Sequence, residues 1–455
     1  MTATAIFDIG KTNKKFFVFD EALREIHREY VTLPETEDED GFPTEDLPRL
    51  TEWMQTTLRR ALDSRDYRIG AVNSSTYGAS FVNLGADGRP VTPLYNYLKP
   101  FPDELWADFW PLAGGADDWA VRTASPRLGM LNSGLQLFWL QQRRPALFAS
   151  IRQSLHFPQY CSYLLTGQGY SDYTSLGCHT GLWDFGAGRY HNWVRNTGLI
   201  NLMAPLRPTT YGVTTNLFGH TLRVGVGIHD SSAALLPYLY ASPEPFILLS
   251  TGTWNIAFNP FSDRPLTADE LTRDCLNYLR PDGLPVKASR LFFGHEFDRR
   301  TRELSDRYGR PLDSRHRIPF DDALYRKWSV GTEPLFRLES LAGGAPQTDW
   351  SLFATYEDAY HRLMLELVRL QAGAIRLAAG ERPVKKLFID GGFAPNEVFV
   401  RLLGTHFPDA TLVATPTPLG SSLGAAMVVN RQPSEADQSP AIGARRTGDF
   451  SLDRP

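Results

Sequence analysis

Gly227-Ile228-His229-Asp230 ends the apolar run 222–228 on a single carboxylate, and Leu249-Ser250-Thr251-Gly252-Thr253-Trp254 follows as a strand entering a turn of small hydroxyl residues. A strand over 222–228 would deliver Asp230 to its C-terminal end, where α/β sheets hold their ligands. The second stretch offers hydroxyls and backbone N–H groups to an anion. A base beside a phosphate cradle is the least equipment for moving a phosphoryl group onto an alcohol. Asp230 alone could equally be a helix N-cap residue; Ser231-Ser232 is expected to cap the helix that follows. Two-residue alternation puts His229 on the opposite strand face, as a packing or substrate-contact residue.

A third element stands near the start. Ala5-Ile6-Phe7-Asp8-Ile9-Gly10-Lys11-Thr12-Asn13 runs from strand to acid to Gly-Thr turn, before a second strand at Phe16-Phe17-Val18-Phe19. Asp8 with Gly10 and Thr12 can hold a water-bridged Mg²⁺ and present N–H groups to phosphate oxygens. Gly10-Lys11-Thr12 also matches the end of a P-loop, but Ala5, inside a strand, stands where that loop needs its first glycine. Two Gly-Thr turns facing each other would grip a nucleotide's phosphates from both sides of a cleft. The expectation is an ATP-dependent small-molecule kinase.

At 455 residues the chain exceeds one comfortable core. Two domains are expected, 1–242 and 243–430, hinged near Tyr240-Ala241-Ser242-Pro243-Glu244-Pro245, with 431–455 a loose polar tail. A net charge of −4 without a long basic run argues against a nucleic-acid partner. Arg299-Arg300 with Arg302 reads as a solvated helix face. No stretch approaches the roughly twenty apolar residues that span a bilayer, and no basic-then-apolar leader opens the chain. Cys161, Cys178 and Cys275 are too scattered for a disulfide framework or thiolate metal site. A cytoplasmic protein with a small-molecule substrate and no membrane partner is expected; homodimerisation is left open.

The coarse pattern gives strands 4–9, 15–20 and 26–33, a mobile acidic connection over 35–45, a helix over 47–63, and strands 68–74 and 80–84 around Thr76-Tyr77-Gly78. Further on come a strand pair at 246–250 and 254–258, a helix over 355–380 and a strand over 385–390. The turn Asp390-Gly391-Gly392 could admit an adenine or ribose, with a helix opening near Asn396. Strand 410–415, loop 416–418 and helix 419–429 close the fold. Gly420 and Gly424-Ala425-Ala426 suit close helix packing as well as a ligand. The Asp8 and Ser250 regions resemble each other enough to suggest two related halves.

In this order the motifs resemble the FGGY family of carbohydrate kinases, within the actin-like ATPase superfamily, to about residue 430. Asp8-Ile9-Gly10-Lys11-Thr12-Asn13 with Lys15 is similar to the first phosphate motif, and Thr76-Tyr77-Gly78 to a sugar-binding turn of rhamnulokinases. Pro158-Gln159-Tyr160 and Asp172-Tyr173-Thr174-Ser175 resemble a recurrent first-domain segment. Gly227-Ile228-His229-Asp230 resembles the catalytic aspartate motif, Ser250-Thr251-Gly252-Thr253-Trp254 the second phosphate motif of rhamnulokinases and L-fuculokinases, and Gly391-Gly392 with Asn396 the adenosine motif.

The resemblance implies an α/β fold of two ribonuclease-H-like domains around a central cleft, sugar mainly on the first and ATP mainly on the second. It implies Asp230 as base, Asp8 near Mg²⁺, and phosphates on Gly10, Thr12, Asn13, Lys15, Thr251, Gly252 and Thr253. Tyr77, Gly78, Asn96 and His229 are expected sugar contacts. The chain departs from the pattern at Lys11, at Tyr95-Asn96-Tyr97, at Arg401 and at Ser421-Ser422. L-Fuculose or L-rhamnulose is favoured, with D-xylulose, L-ribulose and glycerol open. The rivals are a catalytically silent sugar sensor and a sugar-independent ATPase.

Overall fold

The computed structural model describes residues 2–262, 264–331, 333–342, 344–345, 347–415 and 420–431. The expected loop 416–418, and the expected tail beyond 431, lie outside these. Two mixed sheets organise the chain. In the first, the strands run in the order Gly212–Leu217, His220–Gly225, Arg68–Thr76, Thr2–Ile9, Lys14–Asp20, Glu25–Val31, with Ile228–His229 also paired to Arg68–Thr76. In the second the order is Cys275–Leu279, Pro285–Leu291, Asn255–Asn259, Ile247–Thr251, Lys386–Gly391, Thr411–Thr415. Each sheet is built around one strand, Thr2–Ile9 or Ile247–Thr251. That strand pairs antiparallel with its successor and parallel with a later strand. The likeness of the two Gly-Thr turns therefore reflects two like-built units.

The helix Leu47–Leu62 packs Leu50, Met54 and Leu58 into the core with Phe7, Phe16 and Val18. The helix Tyr356–Ala379 plays that part in the second unit. The last helix, Gly420–Asn430, belongs by sequence to the stretch assigned to the second domain, yet it packs on the first sheet. Asn73 Nδ2 donates to Ala425 O at 3.0 Å, Arg223 Nε to Val429 O at 3.0 Å, and Asn430 bonds Thr4. It also crosses Asp230–Ala241 so closely that a Cβ on Gly424 would lie 1.9 Å from Ala233 O. Close helix packing is thus what Gly424-Ala425-Ala426 serves, with Ala425, Ala426 and Val428 joining Ile6, Phe17 and Ala233 in one core.

Three expectations need correction. The strand 222–228 is broken: His220–Gly225 ends, and Gly227 turns at φ +89° before Ile228–His229. Only glycine fits this turn, because the Pro158 carbonyl oxygen would lie 2.3 Å from any Cβ there. The acidic connection 35–45 lies mostly at the surface, as expected, but is a paired hairpin, Glu35–Glu37 with Pro43–Glu45, rather than a loose link. Lys99 Nζ holds it at Asp38 (2.5 Å) and Asp40 (2.7 Å), so part of its charge is paired. Arg300 likewise leaves the solvated face expected for it, buried against Glu296 at 2.8 Å.

Candidate active site

Asp230 is the first residue of the helix Asp230–Ala241, not a residue before a serine cap, and no side chain caps that end. Its Oδ1 accepts from the Ser231 N–H at 2.5 Å and Oγ–H at 3.2 Å, and its side chain is 35 % exposed. A carboxylate at a helix N-terminus is favoured by the positive end of the dipole. The strand that delivers it is anchored from below. Asp172 accepts from Gln159, Thr174, Ser175 and Thr209, while Gln159 Nε2 also donates to Gly227 O and Thr174 Oγ1 accepts the His229 N–H.

Asp8 ends the central strand of the first sheet and is buried. Lys15 Nζ lies 3.4 Å from its Oδ2; Ser421 Oγ donates at 3.2 Å and Ser422 Oγ at 3.0 Å. Burial pushes the Asp8 carboxyl above the usual carboxylate range, Lys15 and Ser422 oppose this, and the charge of Asp230 adds to it. The two acids are therefore electrostatic neighbours. The serines noted as departures from the family pattern are the donors that hold Asp8.

His229 lies beside this pair, with Nε2 3.3 Å from Asp230 Oδ1 and from Cys178 Sγ. Burial drives its pKa down, so the ring is neutral. Its ring stacks on Tyr278 of the second unit at 6.2 Å and packs so tightly on Gly78 that a Cβ there would come within 2.8 Å. Tyr77 is more enclosed than expected: its ring packs on Phe157 and Tyr97, and its hydroxyl donates to Glu45 Oε1 at 3.2 Å. Asn96 spends its amide on Pro43 O and the Leu98 N–H. Tyr97, half-buried, has its hydroxyl pKa raised by burial and then by the nearby charges of Asp230 and Glu45.

On the second unit Gly252, Thr253, Gly392 and Asn396 line one cavity, together with Gly294, Phe297, Asp298, His316, Phe393 and Pro395. Thr251 lies beneath: its hydroxyl donates to Asp390 O at 2.5 Å and accepts the Phe393 N–H at 2.9 Å. Gly391, at φ +87°, has no room for a Cβ against Thr251 O. Asn396 caps the helix Glu397–His406 and donates to Tyr360 Oη. Gly294 was not legible as a site residue, although a Cβ on it would lie 2.0 Å from Gly252 O. Gly10, Thr12 and Asn13 form the turn above Asp8, with the Gly10 N–H donating to Asn13 O at 3.0 Å. Arg290, also passed over, lies over the Trp254 ring at 5.4 Å and bonds Asp274 at 2.6 Å.

Among the described residues no cluster of three or more His, Cys, Asp or Glu could by itself hold a metal ion. Magnesium needs less from a protein, since it keeps several waters and takes one or two carboxylates plus substrate phosphates. Asp8, an oxygen donor pressed by burial and a second negative charge, fits that part.

Paired ribonuclease-H-like sheets with acids at their junction define a member of the actin-like ATPase superfamily. The FGGY family of carbohydrate kinases, N-terminal domain, matches residues 3–210, and Carbohydrate kinase FGGY, C-terminal domain, matches residues 243–438. The chain belongs to the FGGY family of carbohydrate kinases. A rhamnulokinase from Enterobacter sp. (strain 638) is 27 % identical over 259 residues, 54 % of this chain and 50 % of that protein. The match thus spans about half the length of that relative. The structure of a carbohydrate kinase from Novosphingobium aromaticivorans is similar at TM-score 0.79 and 27 % identity, covering 94 % of this chain and 91 % of that one. A xylulose kinase from Rhodospirillum rubrum shares the fold at TM-score 0.77 and 17 % identity, over 94 % and 89 % of the two chains.

Proposed function

We propose that this protein transfers the γ-phosphoryl group of ATP to a hydroxyl of a ketose or deoxyketose, with L-rhamnulose or L-fuculose favoured. The sugar is held mainly by residues 1–242 and the nucleotide mainly by 243–430. The observation that carries the reading is the adjacency of Asp230 to Asp8: one partly open carboxylate beside one buried carboxylate that is held by hydroxyl donors.

Asp230 takes the proton of the attacking hydroxyl as transfer begins, while neutral His229 and Tyr97 flank the acceptor. Asp8 would hold Mg²⁺, which when bound neutralises charge on the phosphate oxygens. Gly10, Thr12, Asn13 and Lys15 receive the phosphates from one side, and Gly252 with Thr253 from the other. Gly392 and Asn396 border the adenosine end. Closing the units over both substrates would exclude water as a competing acceptor. Support for the favoured sugars comes from the rhamnulokinase relative and from the Ser-Thr-Gly-Thr-Trp form of the second turn.

A coupled ADP assay over L-rhamnulose, L-fuculose, D-xylulose, L-ribulose and glycerol tests the reading. ADP release that rises with one of the two deoxyketoses is expected. A clear preference for another acceptor corrects the substrate. Equal release without any sugar would make the protein an ATPase, and no release with any sugar would make it a sugar sensor.

A further inference from the structure

Beneath the first phosphate turn lies a buried ion pair to which the mechanism above gives no role. Lys14 is 1 % exposed and turns its ammonium inward, onto Gly10 O at 3.1 Å, Lys11 O at 3.0 Å and Glu45 Oε1 at 2.9 Å. Three partners match the three protons of an ammonium group. A trans peptide holds its C=O and N–H on opposite sides. Drawing the carbonyls of Gly10 and Lys11 onto Lys14 therefore turns the N–H groups of Lys11 and Thr12 the other way. Neither N–H has an acceptor among the described residues. Successive free N–H groups of this kind make an anion-binding concavity. The same Glu45 oxygen accepts the Tyr77 hydroxyl at 3.2 Å. One carboxylate oxygen thus ties the turn over 10–13 to the turn over 76–78.

We propose that Lys14 and Glu45 are positioning residues: Lys14 shapes the turn that receives the nucleotide phosphates, and Glu45 links occupancy of the sugar turn to it through Tyr77. The link rests on reading the 76–78 turn as part of the acceptor site. A coupling of this sort changes nucleotide affinity when sugar binds, by roughly 5–150-fold in ordinary cases.

The test measures MgADP affinity of the full chain by calorimetry, without and with the ketose of highest turnover in the panel above. Lys14→Met should weaken MgADP at least about tenfold without sugar. Because it strands Glu45 in the interior, it could also unfold the protein, so Tyr77→Phe supplies the second arm. That variant keeps the ring and the ion pair and removes only the hydroxyl. Its ratio of MgADP affinities with and without sugar should fall toward one, from a wild-type ratio of about five or more. A merely structural hydroxyl would leave the ratio unmoved. The inference is overturned by a wild-type ratio of one, by an unchanged ratio in Tyr77→Phe, or by normal MgADP affinity in folded Lys14→Met. Failure of the kinase reading shows separately, as wild-type protein with no ketose-dependent ADP release, and takes this inference down with it.

Discussion

Ser422 Oγ lies 3.0 Å from Asp8 Oδ2, a hydrogen bond between residues 414 apart in the chain. It joins the end of the first strand to the start of the last helix, whose other turns press on the helix headed by Asp230. The two acids are thus set by one helix crossing.

Removing that donor should move the pH dependence of the reaction. Ser422 holds the Asp8 carboxyl down against burial, so Ser422→Ala lets its pKa rise. The carboxylate then protonates at a higher pH, and the acid limb of kcat/KM for MgATP shifts upward. A hydrogen bond to a charged group is worth about 1.5–3 kcal/mol, so kcat/KM should fall about tenfold or more. An acid limb that stays in place would show that Ser422 does not govern Asp8.

Asp230→Asn should separate binding from turnover. The proposed base is lost, and loss of a general base costs about 10²–10⁴ in kcat. The negative charge that pushes the Asp8 carboxyl upward is lost too, so MgADP binding should hold or tighten. Calorimetry beside single-turnover phosphorylation reads both. Near-normal kcat would remove Asp230 from the role of base.

Acid should destabilise the fold through buried histidines. Burial lowers His156 and His179 from 6.5 to about 3 and also lowers His229. Above 6.5 neither folded nor unfolded chain carries these protons, and nothing is lost. Between about 6.5 and about 3 the unfolded chain binds protons that the folded chain refuses, so stability falls as pH falls. At about pH 5 His156 and His179 should each cost about 2 kcal/mol. Urea midpoints measured downward from neutral pH should drop accordingly, and less in His156→Gln. A flat profile would contradict burial of these rings as neutral species.

Much of this arrangement could be read locally. Asp8, Asp230 and the two Gly-Thr turns announce themselves because strand, acid and turn adjoin in sequence, and both central strands and the helix Tyr356–Ala379 follow from their apolar period. What escaped depends on distant partners. The stretch 35–45 read as a loose connection because Lys99, which pairs with Asp38 and Asp40, comes far later in the chain. That Asn96 also bonds the Pro43 carbonyl has no local sign, since Pro43 lies more than fifty residues earlier. Gly227 read as part of a continuous strand, and its need for glycine shows only once the Pro158 carbonyl is placed against it. Lys14 and Glu45 carry no local signature, since a buried ion pair is visible only when both ends are placed.

Gly424 offers the sharpest test that the helix crossing sets the acids. A Cβ there would lie 1.9 Å from Ala233 O and 2.6 Å from its carbonyl carbon. These are backbone atoms, which cannot rotate aside, so Gly424→Ala must push the two helices apart. Overpacking of this kind costs about 1–3 kcal/mol. Because Asp230 heads one helix and Ser421 and Ser422 open the other, the displacement reaches both acids, and kcat should fall more than the stability loss explains. Gly373 provides the contrast: it lies in the helix Tyr356–Ala379 with nothing within 4 Å of a built Cβ. Gly373→Ala should stabilise by up to about 1 kcal/mol through helix propensity alone and leave turnover unchanged. If Gly424→Ala lost stability yet kept full kcat, the crossing would be a packing device and the placement of Asp8 against Asp230 would have to come from the sheet.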